Sequence, residues 1–292
     1  MGPILATTDF SERSGWALAR AARIAAAAGA PLALLHVVED YQLQMLQRLG
    51  EEHAGQARWL AEARAELERR AAGLRRDGLP VESSVRVGRV YQEIAGEAEA
   101  RGAALTVLGA HGEHFLRDLF LGATAQKVVR RNARSTLVVK RPGDGPYRRV
   151  VAAVDFSPGS RRAVETALAI APDAEVELLH AFELPYEGKL RFAGVEPAAV
   201  QGYLRAAQLE AEHELAAFIA GAGIEPGCVA ARVVHGYAPE AIVRAAGERA
   251  ADLVAVGAHG HSELAQLMLG SVSLHVVMEA PCDVLVAKLP GQ

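Results

Sequence analysis

Cysteine is nearly absent from this sequence: Cys228 and Cys282 are the only two, and both lie in the second half. Two such thiols supply neither a disulfide framework nor the paired CxxC spacing of a metal site, and they suit a reducing compartment. Also missing is any apolar run near the roughly 18 to 20 residues that cross a bilayer. The N-terminus passes from Gly2 and Pro3 straight into a strand-like run at 4–8, without a basic flank or a secretory apolar stretch. A cytoplasmic protein is therefore expected. A large net charge is lacking too. A formal charge of -4 and a pI near 6.2 give no overall electrostatic reason to expect nucleic acid or an anionic membrane as partner. Catalytic signatures are equally scarce: there is no P-loop lysine, no identifiable arginine finger or dedicated base, and no HxxxH pairing on a helix.

What is there is a duplication. The chain has 292 residues, 51% of them hydrophobic and 23% charged, enough for two ordinary cores. Its halves align over nearly their whole lengths. Asp9-Phe10-Ser11 answers Asp155-Phe156-Ser157, Leu34-Leu35-His36 answers Leu178-Leu179-His180, and Gly109-Ala110-His111-Gly112 answers Gly257-Ala258-His259-Gly260. From Gly88 to Lys140 the offset is a constant 148 residues. The join falls at 141–147, where Pro142, Gly143, Gly145 and Pro146 interrupt helix and strand patterns alike. Domains at 1–141 and 148–292 are expected.

In each copy, short apolar runs alternate with helical segments. In the second copy the runs are 149–154, 174–180, 230–235, 253–257 and 284–287, and near-continuous apolar runs of this length suit parallel strands covered on both faces. Ser157 followed by Pro158 reads as an N-cap and first helical residue, and in the first copy a helix is expected from Ser11 to a stop at Gly29. The predicted fold class is α/β: two tandem doubly wound domains, each with a five-stranded parallel sheet, whose ligands sit outside the carboxyl ends of the strands. The segments 41–76 and 186–220 are long and rich in Ala, Leu, Glu and Arg, with Gly50 and Gly55 expected to break the first. They read as amphipathic covering helices in preference to a lid or dimer arm.

The element with chemical content is Gly257-x-x-Gly260, nine residues, then Gly270-Ser271, lying between a strand and the helical pattern that starts at Val272. Glycines let a backbone approach a ligand without a Cβ clash, a helix N-terminus offers unpaired N–H groups to phosphate, and the Ser271 hydroxyl adds a donor. The bland alternative is a glycine-rich turn with Ser271 as a helix cap. The spacing recurs as Gly109-x-x-Gly112, nine residues, Gly122, but there Ala123 follows the third glycine. Thr124 is adjacent, and one helical residue turns a side chain by about 100°. Arg117 and Lys127 leave the first copy some attraction for phosphate.

These stretches, with 280–286 (Ala-Pro-Cys-Asp-Val-Leu-Val) and the openings Thr8-Asp9-Phe10-Ser11 and Val154-Asp155-Phe156-Ser157, resemble the universal stress protein family across almost all of both halves. The resemblance implies a tandem two-domain member of Rossmann-like, adenine nucleotide alpha hydrolase-like fold that binds ATP, AMP or ADP, with magnesium as a companion. It implies that Asp155 and Asp9 meet the adenosine part and that the backbone at Ala181 and Val37 contacts adenine. The second loop, complete in its G-x2-G-x9-G-S pattern, would hold the phosphates through Gly257, His259, Gly260, Gly270, Ser271 and Val272. The partly degenerate first loop would offer Gly109, Gly112, Gly122 and Thr124. It further implies pairing of the last strands of the two copies, with 136–140 and 284–288 as candidate edges, and suggests a homodimer.

The remaining histidines carry little. His36 and His180 end the second strands, and His259 with His261 forms a two-apart pair in a loop, a poor metal site without convergent carboxylates. Cys282 reads as a small buried apolar residue. The leading functional reading is a nucleotide-binding stress regulator with little turnover. The alternatives are a slow ATPase or a protein autophosphorylated at Ser271 or Ser273, and an interaction scaffold that binds no nucleotide.

Overall fold

The computed structural model describes residues 1–48, 53–110, 121–143, 145–184, 193, 195–225, 227–260 and 269–289. The chain divides into two compact units, one of residues 1–146 with 283–292 and one of residues 147–282.

The first unit follows the order β1 (Ile4–Thr7), α1 (Glu12–Ala28), β2 (Leu32–Val38), α2 (Asp40–Arg48), α3 (His53–Arg76), β3 (Val81–Val87), α4 (Val90–Ala100), β4 (Leu105–Gly109), α5 (Ala123–Arg131) and β5 (Thr136–Val139). Its strands β3-β2-β1-β4-β5 are parallel throughout. Burial is continuous along β4 from Leu105 to Leu108, as it must be for a strand covered on both faces. The chain first runs outward from β1 through β2 to β3, then crosses to β4 on the other side. That reversal opens a crevice at the carboxyl ends of β1 and β4.

Local sequence explains the boundaries. Ser11 caps α1 by accepting the Ser14 amide at 3.2 Å, and Gly29 ends it with φ 58°, a left-handed conformation that glycine adopts without strain. Helix α3 presents Ala63, Leu67 and Ala71, four residues apart, to β2 and β3. Gly55 does not break this helix. It falls in the first turn, where a missing side chain weakens the helix less than in the interior. Gly50 lies outside the described residues.

The second unit contains β6 (Arg149–Ala153), α6 (Pro158–Ile170), β7 (Glu175–Phe182), α7 (Pro197–Gly221), β8 (Val229–His235), α8 (Ala238–Glu248), β9 (Leu253–Gly257) and α9 (Ser271–Glu279). Strands β9-β6-β7-β8 are parallel. Ser157 caps α6 with Pro158 in its first turn, as the sequence predicted.

The final strand, β10 (Asp283–Ala287), belongs to the first unit, where it pairs antiparallel with β5: Val284 faces Val138 and Val286 faces Thr136. The expected pairing of the two last strands is thus present, and it covers the outer edge of β5. Asp283 accepts the Lys140 amide at 2.9 Å and lies 3.5 Å from the Arg20 guanidinium. Arg20 and Arg23 donate to the carbonyls of Gly143 and Gly145, so the Gly/Pro-rich join is fastened onto α1. A Cβ on Gly143 would stand 1.9 Å from an Arg20 nitrogen, so a side chain there would have to displace the guanidinium.

Candidate functional site

The turn between β1 and α1 is built around one carboxylate. Asp9 Oδ1 accepts the Ser11 amide at 3.1 Å and the Ser11 hydroxyl at 2.5 Å, while that hydroxyl oxygen in turn caps α1. The chain reaches this geometry by placing Phe10 at φ 69°, a left-handed conformation that costs a bulky residue roughly 1–2 kcal/mol. Several contacts hold it there. The Phe10 amide donates to Thr8 Oγ1 at 3.0 Å, its carbonyl accepts from Arg70 at 3.1 Å, and its ring lies between His36 and the Arg70 guanidinium. His36 is oriented in turn by a 2.8 Å bond between Nδ1 and the Thr8 carbonyl. Burial lowers the His36 pKa, against the opposing effects of that carbonyl and of Asp9, so the ring is favoured neutral.

This turn forms one wall of a cavity of about 810 Å³. Asp9 and Phe10 face it from the turn after β1, Leu35 to Val37 from β2, and Gly109 and Ala110 from the end of β4. Gly122, Ala123, Thr124 and Ala125 bring in the start of α5. Gly122 is the N-cap of α5 and has no side chain to bond the first-turn amides, so the positive end of a nine-residue helix opens on the cavity without a side-chain cap. Its own amide is held by the Ala110 carbonyl at 2.8 Å. Five first-copy residues picked from the sequence, Asp9, Val37, Gly109, Gly122 and Thr124, thus line one space. The offset of Thr124 from the third glycine does not remove it from the wall. Gly112, with His111 and Arg117, lies outside the described residues. Lys127 is not at the cavity; its ammonium sits 5.7 Å over the Tyr91 ring.

The outer wall was not singled out in the sequence. Tyr41 and Gln42 on α2, and Trp59, Glu62, Ala63, Glu66 and Arg69 on α3, line this side, with Glu39 just before α2. Three- and four-residue spacing on α3 is the signal that could have found them, since it places these side chains on one helix face. The segment 41–76 is therefore a covering helix along its Ala63–Leu67–Ala71 stripe and a cavity wall beside it. Glu66 is held between Arg70, at 2.9 Å, and Arg69, and hydrogen bonds from Arg70 first and Arg69 next keep its carboxyl below the usual range.

The second unit repeats the turn. Asp155 Oδ1 accepts from the Ser157 amide and hydroxyl at 3.1 and 2.5 Å, Phe156 has φ 64°, and its ring packs on His180, whose Nδ1 is 2.8 Å from the Val154 carbonyl. Where Arg70 covers Phe10, Phe218 covers Phe156 at 6.1 Å, with Arg161 over Phe218. The glycines have packing reasons to be glycine. A Cβ on Gly257 would meet backbone atoms of Gly159 and Ser160 at 2.7–3.0 Å, and one on Gly260 would meet Asp155 Oδ2 at 2.7 Å. Between them, the His259 carbonyl approaches Gly159 so closely that a Cβ there would be 2.7 Å away. Gly270 is the N-cap of α9, without a side-chain cap, and its amide bonds the Ala258 carbonyl. Ser271 is exposed and Val272 half-buried on the first turn of that helix. Ala181 lies near the end of β7, in register with Val234. Ser273 is buried and donates to the Gly257 carbonyl at 2.6 Å. Residues 261–268, including His261, lie outside the described residues. Among the described residues there is no cluster of His, Cys, Asp and Glu able to hold a metal ion, and no helix long and apolar enough to cross a membrane.

Comparison with known proteins gives a consistent result. The sequence profile of the Universal stress protein family matches residues 1–140 and again 146–288. A universal stress protein of Methanocaldococcus jannaschii is 27% identical over 152 residues, which span 47% of this chain and 94% of that protein. One from Mycobacterium tuberculosis is 31% identical over 197 residues, spanning 65% of this chain and 61% of that protein. The crystal structure of a universal stress protein from Archaeoglobus fulgidus superposes with a TM-score of 0.65, covering 98% of each chain at 20% identity, and so shares the fold.

Proposed function

The chain belongs to the universal stress protein family, and from that premise we propose that it is an adenine-nucleotide-binding regulator whose first-unit cavity takes an AMP- or ATP-like ligand. The observation that carries this reading is the convergence of Asp9, Val37, Gly109, Gly122 and Thr124 on one cavity at the topological switch of a parallel sheet. The roles follow from chemistry. Backbone amides at the open end of α5 attract phosphate, the Thr124 hydroxyl adds a donor, and the Asp9 carboxylate, fixed by Ser11, accepts from ribose hydroxyls. The backbone at Val37 meets the adenine edge. Asp155, Ala181, Gly257, Gly260, Gly270 and Ser271 are proposed as the counterpart in the second domain, taken as 148–292 beside a first domain at 1–141.

Binding with little turnover is favoured over autophosphorylation at Ser273, because that hydroxyl is buried and committed to the Gly257 carbonyl. Magnesium as companion of a triphosphate, residence in the cytoplasm and homodimer formation belong to the same proposal. Isothermal titration with AMP, cyclic AMP and ATP tests it. Saturable binding weakened at least about tenfold by Asp9→Ala is expected, in line with about 1.4 kcal/mol for one charge-assisted contact; no heat with any adenine ligand would reject the proposal.

A further inference from the structure

We propose that Glu39 and Glu62 select against phosphate charge, so that the first cavity prefers an adenosine ligand with one phosphate to free ATP. This rests on the reading of the cavity as an adenine-nucleotide site and names the ligand class within it. Four carboxylates line the space, those of Asp9, Glu39, Glu62 and Glu66, and Arg69 is the one arginine or lysine among the described lining residues. Arg69 is paired with Glu66, to which Arg70 also donates, so part of its charge is already met within the wall. Glu39 and Glu62 have no ion-pair partner among the described residues.

The duplicated sequence separates the acids from the arginines. Aligning α3 with α7 on the buried pairs Ala63/Ala211 and Leu67/Leu215 sets Glu62 and Glu66 opposite Glu210 and Glu214. The same alignment sets Arg69 and Arg70 opposite Ala217 and Phe218, and the strand-end alignment sets Glu39 opposite Glu183. Acids recur at the aligned positions of the second copy, and the arginines that pair with one of them occur in the first alone. Among the described residues, charge of this sign is unfavourable to each phosphate added beyond the one met by the α5 amides. A divalent cation bound to the triphosphate cancels much of that charge.

Equilibrium titrations with AMP, ADP and ATP in EDTA at low salt, on the full chain and on a Glu39→Gln/Glu62→Gln variant, test the proposal. The wild type is expected to bind AMP about tenfold more tightly than ATP, and magnesium should narrow that gap. The variant is expected to tighten ATP by about three- to tenfold while AMP shifts less. Because the second unit is unchanged in the variant, the difference between the two proteins reads the first cavity. Matching far-UV circular dichroism and melting curves, with the two single variants, confirm an intact fold. ATP binding in EDTA as tightly as AMP, or an unchanged preference in the variant, overturns the proposal. Equal weakening of all three ligands in the variant also overturns it, since the carboxylates would then be direct contacts. Failure of the wild type to bind any of the three rejects the nucleotide reading itself, and this proposal with it.

Discussion

Phe10 lies nearly face to face with His36, ring centroids 4.1 Å apart, in a backbone conformation that bulky side chains rarely adopt. Phe156 and His180 repeat the arrangement at 4.3 Å. The stacked ring and the bonds around it keep a strained residue between the acid at the site and the serine that caps the next helix. Strain and packing can be separated by substitution. Phe10→Gly and Phe10→Ala both lose the stacking, but only glycine relieves the left-handed φ. The glycine variant should therefore be the more stable by about 1 kcal/mol, the reverse of the usual order within regular structure, as read by urea unfolding. An alanine variant as stable as the glycine one would show that the turn carries no strain.

Gly257 is required first by packing. Gly257→Ala drives a Cβ into the backbone of Gly159 and Ser160, atoms that no rotamer change can move aside. A loss of about 1–3 kcal/mol of stability is expected without any ligand present, measured by thermal or denaturant unfolding. If the variant were as stable as wild type and lost only ligand affinity, the glycine would be there for the ligand alone.

Arg20 and Asp283 form a buried pair, 8% and 2% exposed, that ties α1 to the last strand and holds the join through Gly145. Arg20→Ala removes the guanidinium from beside the buried Asp283 carboxylate and should cost about 3–5 kcal/mol. Replacing both by residues of similar volume, as in Arg20→Met/Asp283→Leu, should recover a large part of that loss. No recovery in the double variant would mean that Arg20 acts through the Gly145 carbonyl and the join rather than through Asp283.

Much of this architecture is readable from local sequence. The serine caps at Ser11 and Ser157 and the parallel strands depend on short-range spacing and recur in both halves, and the Gly29 stop is equally local. What escapes is decided by contacts distant in sequence. The role of Gly143 depends on Arg20, more than a hundred residues earlier, and the packing need for Gly257 depends on Gly159. Lys127, attractive as a phosphate ligand from its position after the loop, instead finds Tyr91. The acidic cavity wall on α3 was hidden because the segment's Ala and Leu stripe already accounts for it as a covering helix. The angular step between helical residues does not turn Thr124 away from the site, because at the first turn of α5 the consecutive residues Ala123, Thr124 and Ala125 all border the cavity.

Lys288 gives the fold a pH dependence. Its ammonium reaches the carbonyls of Asn132 and Arg130 at the end of α5, and burial lowers its pKa from the ordinary 10.5 to about 8. Between those values the unfolded chain keeps a proton that the folded chain has lost, so stability rises with pH from about 8 to 10.5. The full difference is about 3 kcal/mol at most. Urea midpoints across that window should climb more steeply for wild type than for Lys288→Met. Parallel slopes would show that the lysine stays charged against the helix carbonyls.

The most direct test of the nucleotide site is a crystal structure after soaking with AMP. The account requires the phosphate on the amides of Gly122 to Thr124, the ribose at Asp9 and the adenine at the Val37 backbone. A cavity that stays empty after soaking, or a nucleotide bound elsewhere with this space empty, would contradict it.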